Sequence, residues 1–208
     1  RGELRIAVTH TFTVYFIGPL LQTYKNEYPG INIRVHEMNA VQVEAALKED
    51  AVDIGIAFIP NISDEIKAQP IFDEELALLV ASDNPLADNI KLSPSELEKT
   101  DLVLLPIAFA TRQKIESYFV EQGISPRIAV EVNTIGAIIS IVLSSRLATI
   151  LPVGIASVWP KLEAIRLLNP PRRKAALLFR QGSYRSAAAR ALELLLLSKK
   201  TISRLFDE

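Results

Sequence analysis

The chain has 208 residues, of which 49% are hydrophobic and 23% charged, as in an ordinary globular protein of one or two small domains. The 23 basic residues are balanced by 24 acidic ones, so the chain has no basic surface able to neutralise several nucleic-acid phosphates. Cysteine is absent, which excludes disulfides and thiolate chemistry, and no apolar tract approaches the roughly 20 residues of a membrane span.

Apolar segments of strand length alternate with helical patterns along most of the chain. Strands are predicted at residues 4–8, 31–38, 53–58, 102–106, 128–132 and 148–152. Helices are predicted at 13–28, 40–50, 111–122 and 134–145, the first ended by Pro29 and Gly30 and the third by Gly123. This alternation is typical of an α/β fold with a mainly parallel sheet.

The predicted order of strand, helix, strand, helix, strand occurs twice, in residues 4–58 and again in 102–152. Further strands are predicted as two runs within 66–82 and at 164–168 and 174–180, with a last helix at 186–199. We expect two Rossmann-like lobes, lobe I formed by residues 1–80 and 153–208 and lobe II by 81–152, with crossovers near 80 and near 152–160. Open α/β sheets bind ligands at the carboxyl ends of their strands, so two facing lobes would hold a ligand in the cleft between them.

The stretch "VTHTF" at residues 8–12 follows the first predicted strand, and "FATRQ" at 109–113 takes the corresponding place in the second lobe. Several residues stand where helices begin and are suitable N-caps: Thr9 or Thr11, Thr111, and Asn133 with Thr134. Alternatively, these hydroxyls and the free N–H groups of the helix starts point into the cleft. Helix N-termini favour negative charge, so such a cleft would suit a small anion.

Charged and aromatic residues near these positions leave two interpretations open. Arg112 could supply a fixed positive charge to the anion, or it could form an i, i+4 surface pair with Glu116. Phe12, Phe58 and Phe109 could wall the pocket or belong to the core. A separate basic run, at Arg172, Arg173 and Lys174, is expected to be solvated, and "SKKTISRLFDE" at 198–208 is expected to be a frayed tail.

Motifs for catalysis or metal binding are missing from the sequence. The only histidines are His10 and His36, and "HEMNA" lacks the second histidine of a zinc protease motif. A nucleophile elbow, a phosphate-binding glycine loop and a dinucleotide fingerprint are also absent. His10 lies between two threonines, but no carboxylate is near it in sequence to orient it. We expect binding without turnover, with no catalytic residue, metal ion or cofactor.

Four segments in this order resemble the effector-binding domain of LysR-type transcriptional regulators. They are "GELRIAVTHTF", "PLLQTYKNEYPGINIRVHEMNAVQVEAALKEDAVDIGIAF", "LALLVASDNPLA" and "ATILP", and the similarity covers residues 2–197. The resemblance implies the fold of type-2 periplasmic binding proteins, two lobes joined by two crossover strands. It also implies an N-terminal winged helix-turn-helix DNA-binding domain that is absent from this chain, which would explain the start "RGEL" without methionine.

The same resemblance implies where an inducer is held. Members that sense small anions contact them through hydroxyls after the first strand, the residue that ends the third strand, and the helix start in the second lobe. Carried over, the effector-binding candidates are Thr9, Thr11, Phe58, Thr111 and Arg112, to which we add Phe109 and Asn133. Some anion-sensing members have a polar residue where this chain has Phe58, which favours an effector smaller or less polar than sulfate.

The implied function is that of an inducer-sensing regulatory domain in a cytoplasmic bacterial transcription regulator. The resemblance implies a homodimer that pairs residues 18–28 and strand 31–38 with helix 134–145 of a partner, and a homotetramer in the full-length protein. DNA would be bound only through the missing domain, and no membrane is involved. The alternative is a periplasmic solute-binding component of a transporter, and an enzyme on the same fold ranks third.

Overall fold

A computed structural model describes residues 2–59 and 63–198 of the chain. The fold divides into two compact units. Unit 1 consists of Arg1–Asp73 and Arg173–Glu208, and unit 2 consists of Glu74–Arg172. The chain therefore leaves unit 1 once and returns to it once. Apart from Ser198, the expected tail at 198–208 lies outside the described residues.

The helices and strands follow the predicted alternation. The first half contains β1 (Gly2–Val8), α1 (His10–Tyr15), α2 (Ile17–Glu27), β2 (Ile31–Glu37), α3 (Ala40–Lys48), β3 (Ile54–Ile59), β4 (Ile66–Ala81), β5 (Lys91–Leu92) and α4 (Pro94–Leu97). The second half contains β6 (Leu102–Leu104), α5 (Ala110–Gln122), β7 (Ile128–Glu131), α6 (Ile135–Ser144), β8 (Thr149–Pro152), α7 (Gly154–Ser157), β9 (Leu162–Leu167), β10 (Arg172–Arg180) and α8 (Ala187–Leu197).

The sheet of unit 1 has the strand order β2-β1-β3-β10-β4. Strand β1 runs parallel to β2 and β3, and β10 runs antiparallel to β3. Helix α3 packs on β3, where Val43, Leu47 and Leu178 share a buried cluster. The backbone approaches closely here, because a Cβ on Gly55 would lie 2.6 Å from Cγ1 of Val43. Because β1 and β3 are parallel neighbours, their carboxyl ends lie beside each other.

Unit 2 repeats this topology. Strand β6 pairs in parallel with β7, a parallel bridge joins Leu102 to Ala148 just before β8, and β4 runs antiparallel to β8. Strand β9 also pairs antiparallel with β4, and β5 pairs in parallel with β9. In each unit the first strand lies between the second and the third, and an antiparallel strand that enters from the other unit pairs with the third. This arrangement confirms the twofold repeat predicted from the sequence.

Two predicted elements differ from those observed. The predicted helix 13–28 is two helices, α1 and α2, separated at Phe16. Pro19 explains the break, because it lacks the N–H that would bond to the carbonyl of Tyr15 and is tolerated only in the first turn of a helix. The two strand runs predicted within 66–82 form the single strand β4.

The boundaries of the units also differ from those of the expected lobes. They fall at 73/74 and 172/173, inside β4 and at the start of β10, and not near 80 and 153. The prediction that segment 164–168 completes the first lobe is wrong, since β9 belongs to unit 2. The reason is its pairing, because Leu78–Ala81 of β4 take β9 as their antiparallel partner. Within the described part of the chain, the helices are too short or too polar to cross a membrane.

Candidate functional site

Thr9 lies at the junction between β1 and α1. Its extended backbone places it at the N-cap position of α1, and its N–H donates to the carbonyl of Ile56 on the neighbouring strand at 3.1 Å. The side chain does not cap the helix, although the sequence suggested that role. Thr9 is only 8% exposed, and among the described residues its Oγ1 has no hydrogen-bond partner. A buried hydroxyl without a partner costs free energy, so this atom is suited to binding a polar ligand.

Thr11 is hydrogen-bonded to Arg173, an arginine that was expected to be solvated. Nη2 of Arg173 donates to Oγ1 of Thr11 at 3.0 Å, and both residues are buried. The prediction that Arg173 is solvated is therefore wrong, whereas its neighbours Arg172 and Lys174 are exposed as expected. The cause is the alternation of β10, which turns Arg173 to the same face as the buried Ala175.

Phe58 forms the middle layer of a stack in unit 1. Its ring lies 4.5 Å from that of Phe12 on one side, and the guanidinium carbon of Arg173 lies 3.5 Å from its centroid on the other. The register explains this contact, because Phe58 pairs with Ala175 and is therefore the diagonal neighbour of Arg173 on the same face. Phe12 is fully buried, as the core interpretation predicted. The stack holds the guanidinium in a fixed plane next to Thr11.

His10 has a carboxylate partner that its sequence neighbourhood did not reveal. Nδ1 of His10 lies 2.8 Å from Oε1 of Glu37, and the hydroxyl of Thr13 is within hydrogen-bond distance of the same carboxylate. Parallel pairing of β1 with β2 places Glu37 opposite Val8. Glu37 therefore lies near His10, although the two residues are 27 positions apart in sequence. The earlier inference that nothing orients His10 is thus corrected.

In unit 2, the predicted cap of α5 is displaced by two residues. The helix begins at Ala110, and Phe109 occupies the N-cap position without a side-chain cap. The prediction that Thr111 caps a helix at 112–122 is therefore wrong, and Thr111 is buried within the first turn. At the next helix the prediction holds, since the hydroxyl of Thr134 accepts from the N–H of Ala137 at 3.4 Å.

Arg112 makes the i, i+4 pair that was one of its two interpretations. Its Nε lies 2.6 Å from Oε1 of Glu116, and its Nη1 lies 3.1 Å from Oε2 of Glu131 and 2.7 Å from the carbonyl of Leu105. Arg112 is only 7% exposed, and its guanidinium connects α5 to the ends of β6 and β7. Whether it also contacts an effector stays a prediction, as does the contact proposed for Asn133, which is exposed after β7.

The structure thus brings together Thr9, Thr11 and Phe58 in unit 1, and Phe109, Thr111 and Arg112 in unit 2. Arg173 and Glu37 are the site residues that sequence reasoning missed. Across residues 2–59 and 63–198, no group of three His, Asp or Glu side chains is arranged to hold a metal ion.

Comparisons with known proteins agree with this architecture. The family described as LysR substrate binding domain matches residues 1–199. The RuBisCO operon transcriptional regulator of Allochromatium vinosum is 28% identical over 205 residues, which are 96% of this chain and 67% of that regulator.

Solved structures show the same fold at low sequence identity. The regulatory domain of Synechocystis CcmR in complex with 2-PG has a TM-score of 0.83 and 21% identity, over 95% of this chain and 96% of that one. The effector binding domain of QuiR in complex with shikimate has a TM-score of 0.80 and 20% identity, over the same shares of the two chains. These findings support a regulatory domain over the periplasmic solute-binding alternative. The chain belongs to the LysR substrate binding domain family, the effector-binding domain of LysR-type transcriptional regulators.

Proposed function

We propose that this domain senses a small anionic effector, and that Thr9 and Thr11 of unit 1 are its principal contacts. The observation that carries the proposal is the hydroxyl of Thr9, which is buried and has no hydrogen-bond partner among the described residues. Burying such a group without a bond costs about 1–3 kcal/mol, so a ligand that bonds to it recovers this free energy on binding. Thr11 and Arg173 add a second hydroxyl and a positive charge close by.

The strength expected of such a site is moderate. A hydrogen bond to a charged group contributes roughly 1.5–3 kcal/mol, and ordering of ligand and side chains offsets part of that gain. Three or four such bonds would give a dissociation constant between about 1 mM and 1 μM. This range is appropriate for a sensor that must release its effector when the concentration falls.

Unit 2 is proposed to supply the remaining contacts through Phe109, Thr111, Arg112 and Asn133, and unit 1 to add a contact from Phe58. The shared cleft expected from the fold class is part of this proposal. In the full-length regulator, effector binding would change the geometry of a homodimer or homotetramer and thereby the DNA contacts of an N-terminal domain. The effector can do so only by binding one arrangement more tightly than the other. A cytoplasmic location belongs to the same proposal.

Cyanate is one candidate effector. The segments "AVTHTFTVYFIGPL", "DIGIAFIP" and "FATRQKIESY" resemble the regulator of the cyanate-degradation operon. Cyanate is also smaller and less polar at its periphery than sulfate, which agrees with a phenylalanine at position 58. The related structures with 2-PG and shikimate suggest that larger anions be tested beside it.

Replacement of Thr9 by valine tests the site. Thr9→Val removes the unpartnered hydroxyl at constant shape, so we expect the free energy of unfolding to rise by about 1 kcal/mol while effector binding is lost. The measurement is the melting temperature of the 208-residue chain in cyanate, acetate, shikimate and 2-PG, each at millimolar concentration.

Thr149→Val is the matched control. Thr149 is also buried, and its hydroxyl has no hydrogen-bond partner in residues 2–59 and 63–198, but it lies in β8 of unit 2. We expect this variant to gain similar stability and to keep the thermal response of the unmodified chain. The proposal fails if none of the four anions stabilises the unmodified chain, or if the two valine variants respond alike.

A further inference from the structure

Arg173 is buried although it lies in a basic run that was expected to be solvated. It is only 9% exposed, whereas Arg172 and Lys174 on either side of it are exposed and pair with the surface carboxylates of Glu75 and Asp73. Burying a guanidinium costs several kcal/mol unless the surroundings stabilise it, so an arginine here requires a reason beyond solubility.

The contacts of Arg173 fix its plane as well as its position. One face of the guanidinium lies on the ring of Phe58, which is itself backed by the ring of Phe12. Its Nη2 is bonded to Oγ1 of Thr11. A lysine could supply the charge but not this arrangement, because stacking on a ring and directional donation both depend on the planar group.

The hydrogen bond to Thr11 has a chemical consequence for that hydroxyl. A guanidinium carries donors and no acceptor, so the oxygen of Thr11 must be the acceptor in this bond. The single hydrogen of the hydroxyl is then directed elsewhere and is polarised by the adjacent positive charge. Thr11 can therefore offer a ligand a donor, and a ligand that presents acceptors is favoured over one that presents donors.

We infer that Arg173 is a specificity-determining residue, which selects an anionic effector through its charge and by fixing Thr11 as a hydrogen-bond donor. This inference rests on the proposed function of Thr9 and Thr11, and it assigns the charge preference of that site to one residue on a strand far away in sequence. A residue that only held β10 against α1 would affect charged and uncharged ligands equally.

The test compares anions with uncharged counterparts. The dissociation constants of acetate and acetamide, and of shikimate and its methyl ester, are measured by calorimetry, alongside those of cyanate and 2-PG. For Arg173→Met we expect the affinity for the anions to fall at least about tenfold, the value of one charge-assisted hydrogen bond, and the affinity for the uncharged compounds to change less than about twofold.

Two further variants separate charge from shape and position. Arg173→Lys keeps the charge, so it should retain a preference for anions although it binds them more weakly than the unmodified chain. Arg172→Met removes the same charge from the adjacent exposed position and should change every affinity by less than about twofold. The inference is overturned if Arg173→Met keeps the preference for anions, or if Arg173→Lys loses it completely.

A second pair of variants covers the case in which Arg173→Met does not fold. Thr11→Ser keeps a hydroxyl and should keep the full preference for anions, whereas Thr11→Val removes the donor and should reduce that preference, although the charge of Arg173 remains. Equal behaviour of these two variants overturns the inference. A failure of the proposed function is distinguishable from both results, because then no anion would bind the unmodified chain or Thr9→Val would bind as well as the chain it derives from.

Discussion

Both units bury an arginine near the end of their first strand, but the two arginines are placed in different ways. Arg112 of unit 2 stands on α5 and reaches Glu116 four residues away and Glu131 nineteen residues away. Arg173 of unit 1 stands on β10 and reaches Thr11 across 162 residues of sequence. Arg112 joins a helix to the ends of two strands, whereas Arg173 contacts a hydroxyl that is a candidate effector contact.

This difference suggests how a repeated fold acquires one ligand site. The two units share the order of their strands, so each provides a strand end followed by a helix start. In unit 2 the arginine is part of the connection between helix and sheet. In unit 1 the connection is made by backbone hydrogen bonds such as that from Thr9 to Ile56, and the buried hydroxyl of Thr9 has no hydrogen-bond partner among the described residues. We therefore expect the loss of Arg112 to lower stability and the loss of Arg173 to change ligand binding.

The largest effect on stability is expected for Arg112→Met. Removing the guanidinium leaves the carbonyl of Leu105 without its donor and two carboxylates without their partner, so we expect a loss of about 3 kcal/mol in the free energy of unfolding. The preference for anions over uncharged ligands should remain, unlike in Arg173→Met. Urea unfolding and the acetate and acetamide affinities measure the two effects.

The control for Arg112→Met is Arg127→Met in the same unit. The side chain of Arg127 is 73% exposed and pairs with Asp101 at the surface, so its loss should cost about 0.5 kcal/mol or less. The comparison between the two units would be reversed if Arg112→Met abolished the preference for anions while Arg173→Met left it intact.

Replacing a glycine by alanine in each unit should change the free energy of unfolding by less than Arg112→Met does, and with opposite signs in the two units. In unit 1, Gly55→Ala would press a methyl group against Val43, Leu47 and Leu178, and overpacking of this kind costs about 2 kcal/mol. In unit 2, a Cβ on Gly136 of α6 meets no atom within 4 Å, so Gly136→Ala should stabilise by about 0.5–1 kcal/mol. Urea unfolding of both variants provides the measurement. If Gly55→Ala also raised the free energy of unfolding, the contacts around Gly55 would relax without cost.

Most of the fold could be predicted from the sequence because periodicity and helix ends are local properties. Strands β2 and β3 lie within one residue of their predicted positions, and α5 ends at Gly123 in the left-handed conformation that favours glycine. The two crossovers between the lobes were predicted from the repeated order of strands and helices, and the resemblance to LysR-type regulators implied the same connection. What failed was the position of β9, because strand pairing between distant segments leaves no local pattern.

The candidate site was predictable only in part for the same reason. Thr9 and Thr11 follow β1, and Phe58 lies near the end of β3, so their positions along the chain made them candidates. Arg173 reaches Thr11 and Phe58, and Glu37 reaches His10, only through pairing across the sheet. One signal for Arg173 was present. In "RRKAALLFR" it occupies the same face as Ala175 and Leu177, so strict alternation would have predicted that it is buried. The facing arrangement of the two sets of residues stays a prediction.

The smallest expected effects concern one buried tyrosine in each unit. The hydroxyl of Tyr24 donates to the carbonyl of Ala188 in unit 1, and that of Tyr118 to the carbonyl of Leu168 in unit 2. Tyr24→Phe or Tyr118→Phe should each cost about 1 kcal/mol at pH 7, since a carbonyl loses its donor. Burial raises the pKa of both phenols above the usual value of 10, and Tyr28 adds to the effect on Tyr24.

These raised pKa values give the two substitutions a predictable pH dependence. A group whose pKa is higher in the folded chain contributes its full stability below the unfolded pKa and loses it as the pH rises. The unmodified chain should therefore lose stability from about pH 9 to 11, and the cost of each phenylalanine should shrink over that range. Tyr184→Phe is the control, because Tyr184 is 86% exposed and the loss of its hydroxyl should change stability by less than about 0.5 kcal/mol. If the cost of one of the two substitutions stayed constant to about pH 11, that phenol would ionise in the folded chain as readily as in the unfolded one. The two units would then differ in how burial affects their tyrosine.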